Sequence, residues 1–292
     1  MNTRDLEYFV ALCDEKNFSQ VAKKFGVTQP TITMALKRLE SQFAIQLIDR
    51  DQSHGRLTIT PAGEQLYVRA NVVGKQLKLA QKELRALRHP QIRFGLPPII
   101  GSFYFPKLAP KLVASGLMPE LKTTEAGSAN LLADLRAGHL DVALLGATGP
   151  LQAPDLDVHT VADDRFVAVM PQDHPNAKRQ AISFSELADE PFVTFSEGFV
   201  HTKAMQWFTQ ASGIHPSVVY RTPDVTLLKS MIHAGVGIGL LASTAVTPAD
   251  DLACVPLSES GQPRFSISVV TRRGQVLSPT MKELMTLLHE HA

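Results

Sequence analysis

Ser19-Gln20-Val21-Ala22-Lys23-Lys24-Phe25-Gly26-Val27-Thr28-Gln29-Pro30-Thr31-Ile32-Thr33-Met34-Ala35-Leu36-Lys37-Arg38-Leu39 is the stretch on which the reading of the N-terminal third turns. Two helices that cross closely need a small residue at the crossing, a glycine in the turn, and a β-branched residue on the second helix pointing back at the first. Ala22, Gly26 and Ile32 supply these in order. Ser19 reads as the N-cap of a short helix from Gln20 to Phe25. Thr28 reads as the cap of the next, with Pro30 in its first turn and Ile32, Leu36 and Leu39 on one face. The opposite face carries Thr28, Gln29, Thr31, Thr33, Lys37 and Arg38. Hydroxyls and an amide can approach phosphates and base edges, and cations neutralise phosphates. An ordinary helical hairpin with accidental spacing is the alternative; the polar face favours duplex DNA.

Working outward, residues 4–13 place Leu6, Phe9, Val10 and Cys13 at helical spacing. Residues 46–50 and 56–60 are short strand-like runs around a turn-rich segment, the pattern of a β-hairpin wing. Thr60-Pro61 then caps a helix predicted to last to about residue 88. Leu66, Ala70, Val73, Leu77, Ala80, Leu84 and Leu87 repeat along it at spacings of four and three, a coiled-coil-like seam.

From residue 91 strands alternate with helices. Strands are predicted at 92–96, 120–125, 141–145, 165–170, 191–195, 217–220, 236–241 and 265–271. Helices are predicted at 103–113, 130–137, 199–211, 224–234 and 279–289. That rhythm implies parallel sheet covered by helices, in two similar lobes.

Composition agrees with a folded chain of two or three domains: 292 residues, 44% hydrophobic and 20% charged. The net charge of +1 hides an asymmetry, since residues 1–90 hold 14 Lys and Arg against 9 Asp and Glu, and the remainder 15 against 19. A polyanion partner therefore suits the first third. The start lacks a signal peptide's apolar core and no apolar run reaches membrane-spanning length, which argues for a cytoplasmic protein without a membrane partner. Cys13 and Cys254 fall in separate regions and read as structural thiols rather than a disulfide or a redox sensor.

The runs Leu6-Glu7-Tyr8-Phe9, Phe18-Ser19-Gln20-Val21-Ala22, Val27-Thr28-Gln29-Pro30-Thr31-Ile32-Thr33, Leu39-Glu40, Leu47-Ile48-Asp49-Arg50 and Leu57-Thr58-Ile59-Thr60-Pro61-Ala62-Gly63 together resemble the signature of LysR-type transcriptional regulators. Thr28 and Thr33 stand where that family usually has serine, Ala44 where it has glycine, and Ile48 where it has phenylalanine. Gly127-Ser128, Leu135-x-x-Gly138-x-Leu140-Asp141-Val142-Ala143 and Ala234-Gly235-x-Gly237-Ile238 are similar to the landmarks of its effector domain.

The resemblance implies an α + α/β chain. A winged helix-turn-helix would occupy residues 1–60, a linker and dimerisation helix 61–89, and a two-lobed periplasmic-binding-protein-like effector domain 90–292. Lobe I would comprise 90–162 with 267–292, and lobe II 163–266, with crossover strands near 161–165 and 264–268. DNA contacts are expected from Thr28, Gln29, Pro30, Thr31, Thr33, Met34, Lys37, Arg38, Arg50 and Arg56. Effector contacts are expected from Pro98, Ile99, Ile100, Ser102, Ser128, Thr194, Ser196, Phe199, His201 and Thr202. The competing reading of the hydroxyl residues is that they only cap helices. The stretch Gly95 to Ser102 is similar to members that respond to small organic acids, although Ile99 replaces a hydroxyl that some members use. Further implied are a homodimer or a homotetramer built as a dimer of dimers, an inverted-repeat operator in double-stranded DNA whose bend the effector alters, and contact with RNA polymerase.

No cofactor, metal or catalytic residue is expected. HExxH, CxxC and GxSxG are absent from the sequence. Gly235, Gly237 and Gly239 follow a helix and enter a strand, the reverse of a dinucleotide loop. His289-Glu290-His291 reads as a solvated tail. A solute-binding protein with an N-terminal interaction module is the remaining alternative, and the missing signal peptide weighs against it.

Overall fold

The computed structural model describes residues 2–51, 56–86 and 91–289, with backbone alone for residues 50, 51, 56, 85 and 86. It separates into two compact units, Met1–Arg85 and Ala86–Ala292.

In the first unit, helices α1 (Thr3–Glu15), α2 (Phe18–Phe25) and α3 (Gln29–Phe43) pack around Phe9, Leu12, Val21, Ile32, Leu36 and Leu39, all essentially inaccessible to solvent. Strands β1 (Ile48–Asp51) and β2 (Arg56–Ile59) pair antiparallel as the wing, and α4 (Pro61–Ala86) follows. Ala22 is 5% exposed and Ile32 is fully buried, so the two helices meet as their spacing requires. Gly26 ends α2 at φ +65°, a conformation that costs a Cβ-bearing residue roughly 1–2 kcal/mol.

The cap of α2 is Asn17, not Ser19. The Asn17 backbone is extended, and its Oδ1 accepts from Ser19 N–H at 2.9 Å and Gln20 N–H at 3.0 Å, so the helix begins at Phe18. Thr28 does sit at the N-cap position of α3, but its hydroxyl meets the Thr31 hydroxyl at 2.9 Å instead of a backbone N–H. Glu40 Oε1 accepts from Leu47 N–H at 3.0 Å, tying the end of α3 to the wing. Thr60 Oγ1 accepts from Gly63 N–H at 3.0 Å and donates to the Gln46 carbonyl at 2.8 Å, capping α4 and holding it against the same segment. Along α4, Ala70 is buried, whereas Val73, Leu77 and Leu84 are 41%, 41% and 66% exposed in the single chain. Leu87 lies outside the described residues.

The second unit runs β3 (Ile92–Leu96), α5 (Pro98–Phe103), α6 (Phe105–Ala114), β4 (Leu121–Glu125), α7 (Ser128–Arg136), β5 (Val142–Ala147), β6 (Leu156–Pro171), β7 (Pro191–Phe195), α8 (Val200–Ser212), β8 (Ser217–Thr222), α9 (Val225–His233), β9 (Gly239–Ala242), β10 (Leu252–Pro256), β11 (Arg264–Arg272) and α10 (Pro279–His289). The helix expected at 103–113 is α6, and a further helix, α5, precedes it. Pro98 starts α5 and Pro106, which has no N–H, lies in the first turn of α6, so residues expected to form a loop after β3 are helical.

Strands β4, β3 and β5 are parallel neighbours, and β11 runs antiparallel between β5 and β6. The sixteen-residue β6 pairs with β11 along its first part and with β9 and β10 along its last. The parallel pair β7–β8 joins this second half through Phe192 and Ile238. Asp141, in the expected Gly-x-Leu-Asp landmark, accepts from the Arg93 backbone N–H at 2.9 Å and from its guanidinium, which also donates to the Gly138 carbonyl at 2.7 Å. That motif therefore locks α7 to β3 and β5. Among the described residues, no helix is long and apolar enough to cross a membrane.

Ala44, where the resemblance puts glycine, closes α3 at φ +52°. Ala44→Gly is expected to raise the unfolding free energy of the N-terminal unit by about 1 kcal/mol, read by chemical denaturation, because it removes the Cβ clash of a left-handed residue.

Candidate functional site

Two regions gather the sequence-predicted functional residues, one in each unit. The first is the outer face of α3. Its inner face buries Ile32, Ala35, Leu36 and Leu39, and helical periodicity then turns Thr28, Gln29, Pro30, Thr31, Met34, Lys37 and Arg38 to solvent, with Thr33 half-buried. Met34 is 51% exposed, an apolar side chain with no intramolecular reason to be there. Gln29 Oε1 accepts from the Ser19 hydroxyl at 3.2 Å, which leaves its amide N–H groups free. Arg38 differs from its neighbours: its Nε and Nη2 contact Asp5 Oδ2 and Oδ1 at 3.1 and 2.6 Å. Asp5 is itself 2% exposed, so Arg38 supplies the counter-charge that makes this burial tolerable and braces α3 on α1. The side chains of Arg50 and Arg56 lie outside the described ones.

The second region is a cavity of about 20 Å³ lined by Pro97, Pro98, Ile99, Ile100, Gly127, Ser128, Phe199, Val200, His201 and Phe265. It brings together Pro98, Ile99, Ile100, Ser128, Phe199 and His201 of the expected set. Ser102 is exposed on α5, away from it. Thr194 and Thr202 instead line a groove on the outer side of α8, and the Thr202 hydroxyl donates to the Phe199 carbonyl at 2.6 Å within the first turn. Ser196 N–H donates to the Thr222 carbonyl. Pro97, Gly127, Val200 and Phe265 lie outside the contacts that the resemblance implies, though the first three adjoin residues that it does name. Gly127 had a signal in sequence, as the opener of a helix; Phe265 enters from a strand more than 60 residues away and had none.

The cavity walls come from both sides of the β6–β11 crossing. A Cβ at Gly127 would lie 3.1 Å from the Gly198 carbonyl oxygen, so the backbones of the two sides come close there and a side chain would push the Gly198 loop back by a few tenths of an ångström. His201 is 2% exposed and packs against the rings of Phe166, Phe195 and Phe265. Its Nε2 accepts from Ala242 N–H at 3.2 Å, while Nδ1 has no partner among the described residues. Burial alone lowers its pKa from 6.5 to about 3, so the ring is neutral at physiological pH. The Ser128 hydroxyl oxygen accepts from Gly146 N–H at 3.0 Å and keeps its own proton to donate.

A helix-turn-helix with a solvent-facing polar recognition helix, followed by a two-sided α/β unit closed around a small cavity, defines the class of ligand-responsive DNA-binding regulators. Comparison with known proteins supplies the family. Residues 3–64 match the bacterial regulatory helix-turn-helix protein family of lysR type, and residues 85–292 match the LysR substrate binding domain. The chain belongs to the LysR family of transcriptional regulators. It is 30% identical to the malolactic fermentation system transcriptional activator of Lactococcus lactis over 99% of this chain and 98% of that one. It is 28% identical to the DNA-binding transcriptional dual regulator OxyR of Escherichia coli over 97% and 93%. Among solved structures, the effector binding domain of QuiR in complex with shikimate shares the fold at TM-score 0.60 and 17% identity, covering 70% of this chain and 97% of that one. Full-length BenM does so at TM-score 0.56 and 21%, covering 99% and 96%.

Lys37 and Arg38 are expected to separate cleanly on substitution. Lys37→Ala should leave the unfolding midpoint unchanged and reduce the salt dependence of DNA binding by about one counterion. Arg38→Ala should lower the midpoint by stranding the Asp5 carboxylate, as differential scanning calorimetry would show.

Because the folded pKa of His201 is depressed, its contribution is present above the unfolded value and is lost as pH falls from 6.5 toward 3. Between pH 6 and 4.5, His201→Gln should therefore lose about 1.4 kcal/mol less stability per pH unit than the unaltered protein in urea titrations.

Proposed function

We propose that this LysR-type regulator reads an inverted-repeat operator with paired α3 helices and changes the bend it imposes on that DNA when a small organic acid binds between the lobes of its effector domain. The observation that carries the reading is the division of α3 into a fully buried inner face and an outer face of hydroxyls, an amide and, at Lys37, a cation without an ion-pair partner among the described residues. Gln29, with its amide N–H groups free, reads a base edge. Thr28, Thr31, Thr33 and Lys37 position the helix on phosphates, Met34 and Pro30 make apolar contact with base edges, and Arg50 and Arg56 reach the flanking backbone from the wing.

The exposed Val73, Leu77 and Leu84 on α4 support a dimer, since an apolar stripe at three-and-four spacing is buried by a second copy of the same helix. Residues 1–60 then act as the reading head, 61–89 as the dimerising linker, and 90–292 as the sensor, with lobes 90–162 plus 267–292 and 163–266. The assembled form is a homotetramer of two dimers acting on RNA polymerase in the cytoplasm.

An organic acid is favoured over a peroxide signal, which some relatives' names carry. The only two cysteines are Cys13, whose thiol burial pushes up to about 12, and Cys254, raised by burial and by Asp250. Neither is the low-pKa thiolate that reacts with peroxide. The relative named for a malolactic fermentation system points toward the same ligand class.

Electrophoretic mobility shift on the intergenic DNA upstream of the gene should give a sequence-specific, salt-sensitive complex. Gln29→Ala should cost about 1–3 kcal/mol of discrimination at one base pair per half-site, while leaving binding to non-specific DNA unchanged. Unaltered affinity and preference would place the recognition helix in a different register.

A further inference from the structure

The cavity between the lobes holds donors without partners and no countercharge. No lysine or arginine is among the residues that line it. Two helices of adequate length start at its walls, α7 of nine residues at Gly127-Ser128 and α8 of thirteen at Phe199-Val200, and neither start is capped by a side chain. Each helix start presents unsatisfied N–H groups and roughly half a positive charge. The third contribution is His201, fully enclosed by Phe166, Phe195 and Phe265, with its Nδ1 unpartnered.

The Ala242 N–H decides what that nitrogen offers. It donates to Nε2, so the lone pair of the neutral ring is on Nε2 and the proton is on Nδ1. Protonating Nε2 would set two N–H groups against each other in an apolar shell. Tautomer and charge are both locked, and a buried donor without an acceptor costs about 1–3 kcal/mol until one arrives.

We propose that His201 Nδ1–H is the donor that recognises one oxygen of a carboxylate seated between the α7 and α8 starts, with the Ser128 hydroxyl donating to the same group. This rests on the organic-acid reading of the cleft and deepens it. Two helix starts sum to about one positive charge, which matches a single carboxylate better than a phosphate dianion. The free volume of about 20 Å³ holds little more than a water, which fills roughly 10–15 Å³ on this measure. A carboxylate therefore enters only when Gly127 and Gly198 separate, and its binding is coupled to the spacing of the lobes.

The test uses the full-length protein and calorimetric titration with acetate, pyruvate, L-lactate and L-malate, each beside its neutral amide, and with inorganic phosphate. At least one carboxylate should bind, its amide should not, and phosphate should be weaker. His201→Phe, which keeps the ring shape and removes the donor, should weaken that carboxylate 10- to 100-fold, and His201→Gln should restore part of the loss. In the unaltered protein labelled with ¹⁵N-histidine, one Nδ1-bound proton should move on adding the carboxylate, a readout that does not depend on how the variants fold. Equal affinity in His201→Phe with no moving Nδ1 proton would overturn the role of His201 while leaving an organic-acid sensor in place. Absence of binding by every carboxylate, or equal binding of an amide, would overturn both.

Discussion

The antiparallel pairing of β6 with β11 is the constraint on which the second unit depends. Nine partnered positions of β11 face β6, from Arg264 opposite Arg165 to Arg272 opposite Leu156, and the register slips between Ile267 and Ser268. Val161 is the extra residue at that slip, 4% exposed and without an opposite. A bulge bends a strand and increases its local twist, which lets β6 leave the sheet of β5, β3 and β4 and enter the one it shares with β9 and β10. Because the same two strands belong to both lobes, the lobes cannot separate by translation.

Polar groups are concentrated where the strands cross. Asp163 pairs with Arg264 at 2.5 Å and accepts from the Ser266 hydroxyl at 3.1 Å, while Asp164 accepts from the Ser243 hydroxyl and from Thr244 N–H. An apolar crossing would be as strong but less specific about register, since a one-residue slip in β6 would turn Val161 outward and these carboxylates inward. The lobes also meet at points away from the crossing. One is Gly127 against the Gly198 carbonyl. Another is Lys229 of α9, which is 8% exposed, paired with Asp250 at 2.7 Å and 4.5 Å from the centre of the Phe103 ring. This cation–π contact joins α5 to α9 at a second place besides the strand crossing.

The parts legible in the sequence are those governed by local rules. Ala22, Gly26 and Ile32 encode a helix crossing within eleven residues, and β7 and α10 have the bounds that their flanking prolines and apolar spacing imply. The misread parts are choices between neighbouring options of similar energy. Asn17 and Ser19 are both good caps, and only the extended backbone at Asn17 decides between them. Residues 97–103 open with the two prolines of a loop, yet Pro98 suits the first position of a helix, and the burial of Ile99 and Ile100 holds the turn in place.

The cleft was legible only in half. The resemblance implied Ser128, Phe199 and His201 by position, and for Ser128 the helix start that follows Gly127 was a short-range signal as well. It could not rank them. What distinguishes His201 is the set of three phenylalanines from β6, β7 and β11 together with a backbone N–H from β9, groups between 6 and 64 residues away in the chain. Desolvation is a property of that assembled shell and leaves no mark on the residues next to 201. The same holds for Arg38, which shares its helix face with Lys37 but is claimed by Asp5 from another helix. Sequence locates the chemistry of a site, and the tertiary shell determines which groups remain free to use it.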